Sequence, residues 1–383
     1  MPATASPAID AFLRTQMIEQ PTLLVDIDLV ETAFADLSEG LAGIPLFYAV
    51  KANPEIPVLQ RLKNLGSNFD VAGLVELELV ISLGVHPDRI SFGSTIKKNR
   101  DIIAAYEAGV RLFAVDAYEE MEKLAAHAPG SQVFVRLLTN GSDADWPLSR
   151  KFGIDPEEAV ELMLFGKSLG LVPVGISFHV GSQARDVAMW HPCLDMARDV
   201  WQTAEEHGLE LSLLNLGGGF PAYYDQDIQN LAAYAKGVRA LVDKYFPNNP
   251  SRMMAEPGRA LVADAGVISA EVVLVSRKRK DDIARWVYLD IGKFSGLAET
   301  QGEAIRYRIV STGRLEETGP CVLAGPSCDS EDVLYEKRPV DLPLDLKCGD
   351  RILFHAAGAY TATYASVGFN GIPPLKVICL SAG

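Results

Sequence analysis

Between residues 22 and 265 the chain repeats one pattern: a short apolar run, then a longer stretch whose apolar positions recur at helical spacing. The strand-like runs are TLLVDID, PLFYAVKAN, GSNFDVAG, RISFGST, RLFAVDA, QVFVRLL, VGISFHVGSQ, LSLLNLGGGF and SRMMAEPGRALV. Many are apolar throughout and not alternating, as expected of parallel strands covered on both faces. Between them lie helical stretches such as EIPVLQRLKNLG, GLVELELVISLGV, NRDIIAAYEAGV and PEEAVELMLFGKSLG, several ending in a glycine suited to a left-handed cap. Eight or so such units predict an α/β fold, a (β/α)8 barrel over residues 27–265. A doubly wound open sheet is the alternative, but no glycine-rich turn follows the first strand, where a dinucleotide fold places one.

After residue 265 the texture changes. VISAEVVLVSRKR, RWVYLDIG, RYRIVST, PCVLAGPSC, DRILFHAAGAYT and LKVICL are strand-like runs separated by turns, with little helical periodicity. They predict a second, mostly antiparallel β domain, sandwich- or barrel-like, made of residues 266–383 with residues 1–26 packed into it. A chain of 383 residues exceeds what one core commonly supports, which fits two domains.

Composition narrows the class. With 48% hydrophobic and 22% charged residues the chain reads as an ordinary globular protein, and a net charge of −15 argues against binding nucleic acid. The five cysteines form no CxxC pair or Cys/His cluster, so neither a disulfide framework nor a metal site is expected, and a reducing cytoplasm fits best. The first twenty residues hold no apolar core of signal-peptide length. No uninterrupted run of about 18 apolar residues marks a membrane span.

In a barrel of this kind the carboxyl ends of the strands form the active-site face. Lys51, Asp70, Arg136, His179 with Ser182, Gly217 to Gly219, and Glu256 with Arg259 each fall at or near the end of a different strand. Each has a plain structural alternative. Lys51 can be a strand-end lysine with its head in water, and His179 a satisfied interior histidine. NLGGGFP can be a flexible turn, and Glu256–Arg259 a surface pair. Together they describe something more specific. Bare glycine backbone can turn its N–H groups toward a phosphate that Arg259 clamps, with Ser182 adding a hydrogen bond and Gly258 allowing close approach. A carboxylate near such a site suits a protonated ring nitrogen, and a flat imidazole can stack on an aromatic ring. With a lysine able to form a Schiff base, this is the equipment of a pyridoxal 5′-phosphate site.

The motifs YAVKAN, FHVGSQ, LGGGFP, AEPGR, GPSCDSEDV and GAYT…FNG occur in an order and spacing that resemble the barrel-type pyridoxal-phosphate decarboxylases, and within them the ornithine decarboxylases. The resemblance implies Lys51 as the Schiff-base lysine, Glu256 as partner of the pyridine nitrogen and His179 as the group stacked on the ring. Asp70, Glu76 and Arg136 would be supporting polar residues around the lysine. Ser182, Gly217, Gly218, Gly219, Gly258 and Arg259 would bind the phosphate, with Tyr360 closing it. It further implies a homodimer with shared active sites, in which Cys328 and Asp329 enter from the second subunit and Phe369 lines the pocket. Cys328 would then be the proton donor to the α-carbon and Asp329 the anchor of a distal ammonium. Without the resemblance, Cys328 reads as a small buried hydrophobe.

The same resemblance implies decarboxylation of L-ornithine to putrescine, a step of polyamine biosynthesis. The other readings are a lysine/ornithine decarboxylase of broader specificity, a diaminopimelate decarboxylase and a barrel-type amino-acid racemase. FNGIPPLKV has no arginine for a distal carboxylate, which speaks against diaminopimelate. LDIGKFSGLAET has Phe294 where the eukaryotic ornithine enzymes show tyrosine, and Glu299 is the candidate for the second substrate-binding acid.

Overall fold

The structure, a computed structural model, describes residues 5–139, 151–226, 228–248, 250–312 and 316–381. The chain divides into two compact units: Glu31–Pro221 with Ile228–Ala260, and Met1–Val30 with Ala222–Asp227 and Leu261–Gly383.

The first of these units is an eight-stranded parallel sheet in sequence order: Phe47–Ala49, Asn68–Val71, Ile90–Phe92, Leu112–Val115, Gln132–Arg136, Val172–Ser177, Leu213–Asn215 and Arg252–Met254. The sheet closes on itself. Leu46 bridges Ala255 in parallel, Phe47 N–H donates to Ala255 O (2.8 Å) and Ala49 N–H donates to Pro257 O (3.0 Å). Helices return the chain between strands, as in Asn99–Glu107, which buries Ile102 and Ala105 on one face. Their starts are capped by short polar side chains: Asp155 accepts from Glu157 N–H, and Asn230 from Ala232 and Ala233 N–H. Gly66 and Gly84 end two of the helices with φ of 90° and 75°, where a side chain would be strained.

Leu112, Ala114, Phe134, Val174, Leu213 and Met254 pack as one buried cluster, with Phe47 against it. Every member lies on a barrel strand and none on a helix, so these side chains fill the interior. Burying each large member is worth about 1.5–3 kcal/mol.

The second unit is a nine-stranded sheet, mostly antiparallel. Its central strand Gly266–Ser276 pairs antiparallel with Arg351–His355, Arg285–Leu289 and Thr22–Asp26. Thr22–Asp26 also pairs, in parallel, with the last strand Lys376–Leu380. The helix Pro7–Thr15 lays Ile9 against Leu24 and Val267. TLLVDID, the first run of the alternating series, therefore belongs to this sheet and not to the barrel. All five residues of Thr22–Asp26 are buried, the polar Thr22 and Asp26 included, and the strand lies within the residues 1–26 expected to pack into this domain. Among the described residues no helix is long and apolar enough to cross a membrane.

Gly175 sits where two barrel strands meet, and a Cβ there would fall 1.8 Å from Leu213 O. Gly175→Ala is expected to lower unfolding stability by about 1–3 kcal/mol, read from the denaturation midpoint.

Candidate active site

Phe47–Ala49 is shorter than its apolar run suggests, because a single 3₁₀ turn, Val50–Ala52, follows at once and carries Lys51. Asn53 ends that turn: its N–H donates to Val50 O (3.2 Å), its Oδ1 accepts from Glu55 N–H (3.1 Å), and its carbonyl accepts from the buried Tyr48 hydroxyl (2.9 Å). The lysine is thus set on a rigid strand end, with its side chain 49% exposed and Nζ 3.3 Å from Asp70 Oδ2. Asp70 comes from the neighbouring strand and is itself buried. Burial pushes the Asp70 carboxyl up, and the charges of Lys51 and Arg136 hold it down. Gly93 backs the carboxylate so closely that a Cβ there would lie 2.0 Å from Asp70 Oδ1. Glu76 accepts from Ala72 N–H (2.7 Å), and burial raises its carboxyl too.

Glu256 follows the last barrel strand. Burial, and then the Asp70 charge, push its carboxyl up to about 7, while the Asn215 hydrogen bond, Lys51 and Arg136 pull the other way. Asn215 is fully buried and donates from Nδ2 to Glu256 Oε1 at 2.6 Å. Arg136, at the end of its strand, places its guanidinium 5.1 Å from the Phe152 ring centre. His179 lies two residues beyond Val172–Ser177, and Thr139 Oγ1 donates to its carbonyl (2.8 Å). Its Nδ1 accepts from Gly181 N–H (3.0 Å), which puts the proton of the neutral ring on Nε2. Burial and the charges of Arg136 and Lys51 lower the imidazole to about 3, so it is a neutral flat ring across the physiological range.

The glycine loop needs its glycines. Gly217 and Gly219 have φ of 66° and 110°; a Cβ at Gly217 would meet Phe178 O at 2.1 Å and one at Gly219 would meet Gly181 O at 2.6 Å. At Gly218 a Cβ would approach His179 Nε2 to 3.2 Å. Gly219 O accepts from Ala184 N–H (2.9 Å), which ties this loop to the one carrying Ser182. Arg259, buried, donates from Nε (3.3 Å) and Nη2 (3.1 Å) to Ser182 Oγ. Gly258, also buried, precedes it. Bare backbone, one hydroxyl and one buried guanidinium are groups able to hold a phosphate.

The remaining candidates lie in the second unit. Cys328 is exposed on the loop after Thr318–Ala324, clasped by Asn370: Cys328 N–H donates to Asn370 Oδ1 (3.0 Å) and Asn370 Nδ2 donates to Cys328 Sγ (3.3 Å). Asp329, beside it, is exposed and accepts from Glu331 N–H (2.9 Å). Asp332 pins the loop, accepting from Lys293 N–H (2.7 Å) and Ser327 N–H (3.2 Å). Phe369 is 40% exposed and meets Phe294 edge-on at 5.7 Å. Tyr360 has a φ of 54° and lies 6.0 Å from the Tyr364 ring. Glu299 is buried in the short helical turn Ala298–Glu303.

Asn215, Gly93 and Asn370 escape a reading of strand ends. Only Asn215 leaves a trace, since an amide inside the apolar run LSLLNL must find hydrogen bonds when buried.

A closed parallel barrel bearing a strand-end lysine, a buried carboxylate, a neutral imidazole and a phosphate cradle is the barrel class of pyridoxal-phosphate enzymes, and the donor set fits that cofactor. Residues 27–263 match the family described as pyridoxal-dependent decarboxylase, pyridoxal binding domain, and the chain belongs to it. It is 34% identical to a lysine/ornithine decarboxylase of Selenomonas ruminantium, over 92% of this chain and 88% of that one. It is 33% identical to an ornithine decarboxylase of Schizosaccharomyces pombe, over 89% of this chain and 78% of that one. The solved lysine/ornithine decarboxylase of Vibrio vulnificus, complexed with cadaverine, superposes with a TM-score of 0.85 at 32% identity, covering 97% of each chain. The protein is a carboxy-lyase whose cofactor is pyridoxal 5′-phosphate.

Between about pH 3 and 6.5 the unfolded chain binds a proton at His179 that the folded chain excludes, so this residue makes folding stability rise with pH across that window. In the cofactor-free protein, His179→Gln is expected to flatten the acid limb of unfolding free energy against pH. An unchanged slope would show the ring to be open to water.

Proposed function

We propose that this decarboxylase acts on a basic amino acid carrying an amine at each end, L-ornithine above all, and releases CO2 and putrescine for polyamine synthesis. The observation that carries the reading is the Lys51–Asp70 pair, 3.3 Å apart at the ends of adjoining barrel strands, with the charges of both bearing on Glu256. When bound, pyridoxal phosphate supplies an aldehyde that a lysine amine can hold and a ring that takes up the electron pair left by departing CO2.

The protein's residues do the rest. Lys51 holds the cofactor and gives way to the substrate α-amine, with Asp70, Glu76 and Arg136 setting the charge around it. Glu256 meets the ring nitrogen, and its raised proton affinity matches a proton shared near neutrality. His179, neutral, covers the ring face without adding charge. Ser182, Gly217, Gly218, Gly219, Gly258 and Arg259 grip the phosphate, and Tyr360 closes over it.

The working form is a homodimer in which Cys328 and Asp329 reach the site of the second copy; both are exposed on a loop pinned by Asp332. There Cys328 gives a proton to the α-carbon, Asp329 receives the distal ammonium and Phe369 lines the pocket, with Glu299 as the second acid. FNGIPPLKV offers no arginine to a distal carboxylate, and the relatives named above act on ornithine or lysine. A broader lysine/ornithine specificity is the second reading, favoured by the Selenomonas relative. A cytoplasmic location goes with this reading, since five widely spaced cysteines without a pairing pattern suit a reducing compartment.

Release of labelled CO2 is expected to be fastest per unit kcat/KM with ornithine, then lysine, with diaminobutyrate and diaminopimelate far behind. Preference for diaminopimelate would overturn the substrate reading, and racemisation without gas would overturn the reaction. Borohydride reduction is expected to fix the cofactor on Lys51. Cys328→Ala should lower kcat by about 10²–10⁴-fold. Mixed with Lys51→Ala under subunit exchange, it should recover up to about a quarter of wild-type activity, the share of intact sites in a random mixture of dimers. No recovery would place both residues in one subunit's own site.

A further inference from the structure

Asn215 ends the strand Leu213–Asn215 with no exposed surface. Both ends of its amide are engaged. Oδ1 accepts from Gly217 N–H at 2.8 Å, and Nδ2 donates to Glu256 Oε1 at 2.6 Å. Glu256 N–H in turn donates to Gly217 O at 2.8 Å. Three hydrogen bonds thus close a ring through the strand-end amide, the first glycine of the loop and the half-buried carboxylate. The ring also fixes which way the amide points. A flipped amide would set Nδ2 against the Gly217 N–H and Oδ1 against a carboxylate oxygen, two repulsive contacts in place of two bonds.

We propose that Asn215 is a positioning residue for Glu256: it engages one carboxylate oxygen as an obligate donor, turns the other toward the cofactor's ring nitrogen, and locks both to the phosphate-binding glycine loop. An amide suits this place where a carboxylate does not. Asn215 can only donate to Oε1, which favours the anionic form that a protonated ring nitrogen needs. An aspartate would keep the bond to Gly217 but set a second negative oxygen against Glu256. That pair would have to share a proton in a buried site. The other charges bearing on Glu256 are those of Asp70, Lys51 and Arg136, with neutral His179 close by, whereas the Asn215 side chain bonds to Glu256 and Gly217. The proposal rests on the reading of Glu256 as the ring-nitrogen partner.

Asn215→Asp, Asn215→Ala and Glu256→Gln separate the two. The measurements are equilibrium binding of pyridoxal phosphate to the cofactor-free protein by absorbance, the spectrum of the bound cofactor against pH, and kcat and KM against pH. Asn215→Asp is isosteric and keeps the bond to the glycine loop. It should bind pyridoxal phosphate within about threefold of wild type yet lose about 10–100-fold in kcat, with KM little changed. Its acidic limb of kcat/KM should move to higher pH, together with an altered pH titration of the cofactor band. Asn215→Ala loses both bonds and should also weaken cofactor binding, by about tenfold. Wild-type kcat, pH limb and spectrum in Asn215→Asp overturn the proposal, and that variant decides even where Asn215→Ala does not fold. If Glu256→Gln keeps wild-type kcat and spectrum, the ring-nitrogen reading itself falls.

Discussion

The hydrogen bonds that join residues 45–49 to 255–257 close the barrel, and the candidate site depends on them. They set the strand that leads to Lys51 beside the strand that leads to Glu256, although almost the whole barrel sequence separates the two. Ala49 N–H to Pro257 O is the bond nearest the chemistry. Once the sheet is closed, the strand ends converge on one another, and Asp70, Arg136 and His179 complete the circle from the strands between. An open sheet of the same strands would spread these groups along an edge.

Convergence carries an electrostatic cost that the fold turns to use. Charges brought together away from water disfavour ionisation of carboxylates and imidazole alike. The result differs from residue to residue because the neighbours differ. Glu256 is raised toward neutrality but kept within reach of ionisation by Asn215, Lys51 and Arg136. His179 is taken from water and faces two cations, Arg136 and Lys51, so it stays neutral. Lys51 keeps half its side chain open to solvent with a carboxylate at hand, as its proposed exchange with a substrate amine requires. A contrast lies outside the site. Lys97, with a fully buried side chain, is held by Glu120 at 3.0 Å and by the Ala114 carbonyl, and burial brings it down to about 8. Every partner it has is internal, which is how a structural lysine looks.

Backbone economy shapes the site as much as charge. Gly93, Gly217, Gly218 and Gly219 each occupy a place where a methyl group would strike a functional side chain or a neighbouring loop. The same logic appears in the second unit, where Gly292 and Gly325 leave room for Asp332, whose carboxylate would lie 2.2–2.3 Å from a Cβ at either. There Asp332 and Asn370 do for the Cys328 loop what Asn215 does for the glycine loop: short polar side chains, engaged at both ends, hold a stretch of irregular backbone in one conformation.

Much of this was legible in the chain itself. Alternation of apolar runs and amphipathic stretches carries the barrel because parallel strands are buried on both faces and helices on one, and each leaves its own periodicity. Strand-end placement picks out Lys51, Asp70, Arg136, His179 and Glu256 because in a barrel the end of a strand is a fixed point in space. TLLVDID adds a limit: a strand buried along its length looks alike in either sheet, and its hydrogen-bonded partners, Gly266–Ser276 and Lys376–Leu380, set it in the second sheet, where residues 1–26 were expected. Asn215, Gly93 and Asn370 stayed hidden for a related reason. Their work lies in contacts between residues far apart in the chain, such as Asn215 with Glu256 and Cys328 with Asn370. The sequence by itself determined the elements and, through its motifs, the family and its cofactor, and it named the residues proposed for the chemistry, since these follow from local pattern, side-chain type and motif order. Which strand lies beside which, how far each ionisation is shifted and which amide holds which carboxylate were decided only by tertiary structure, because burial and distance exist only once the chain has closed.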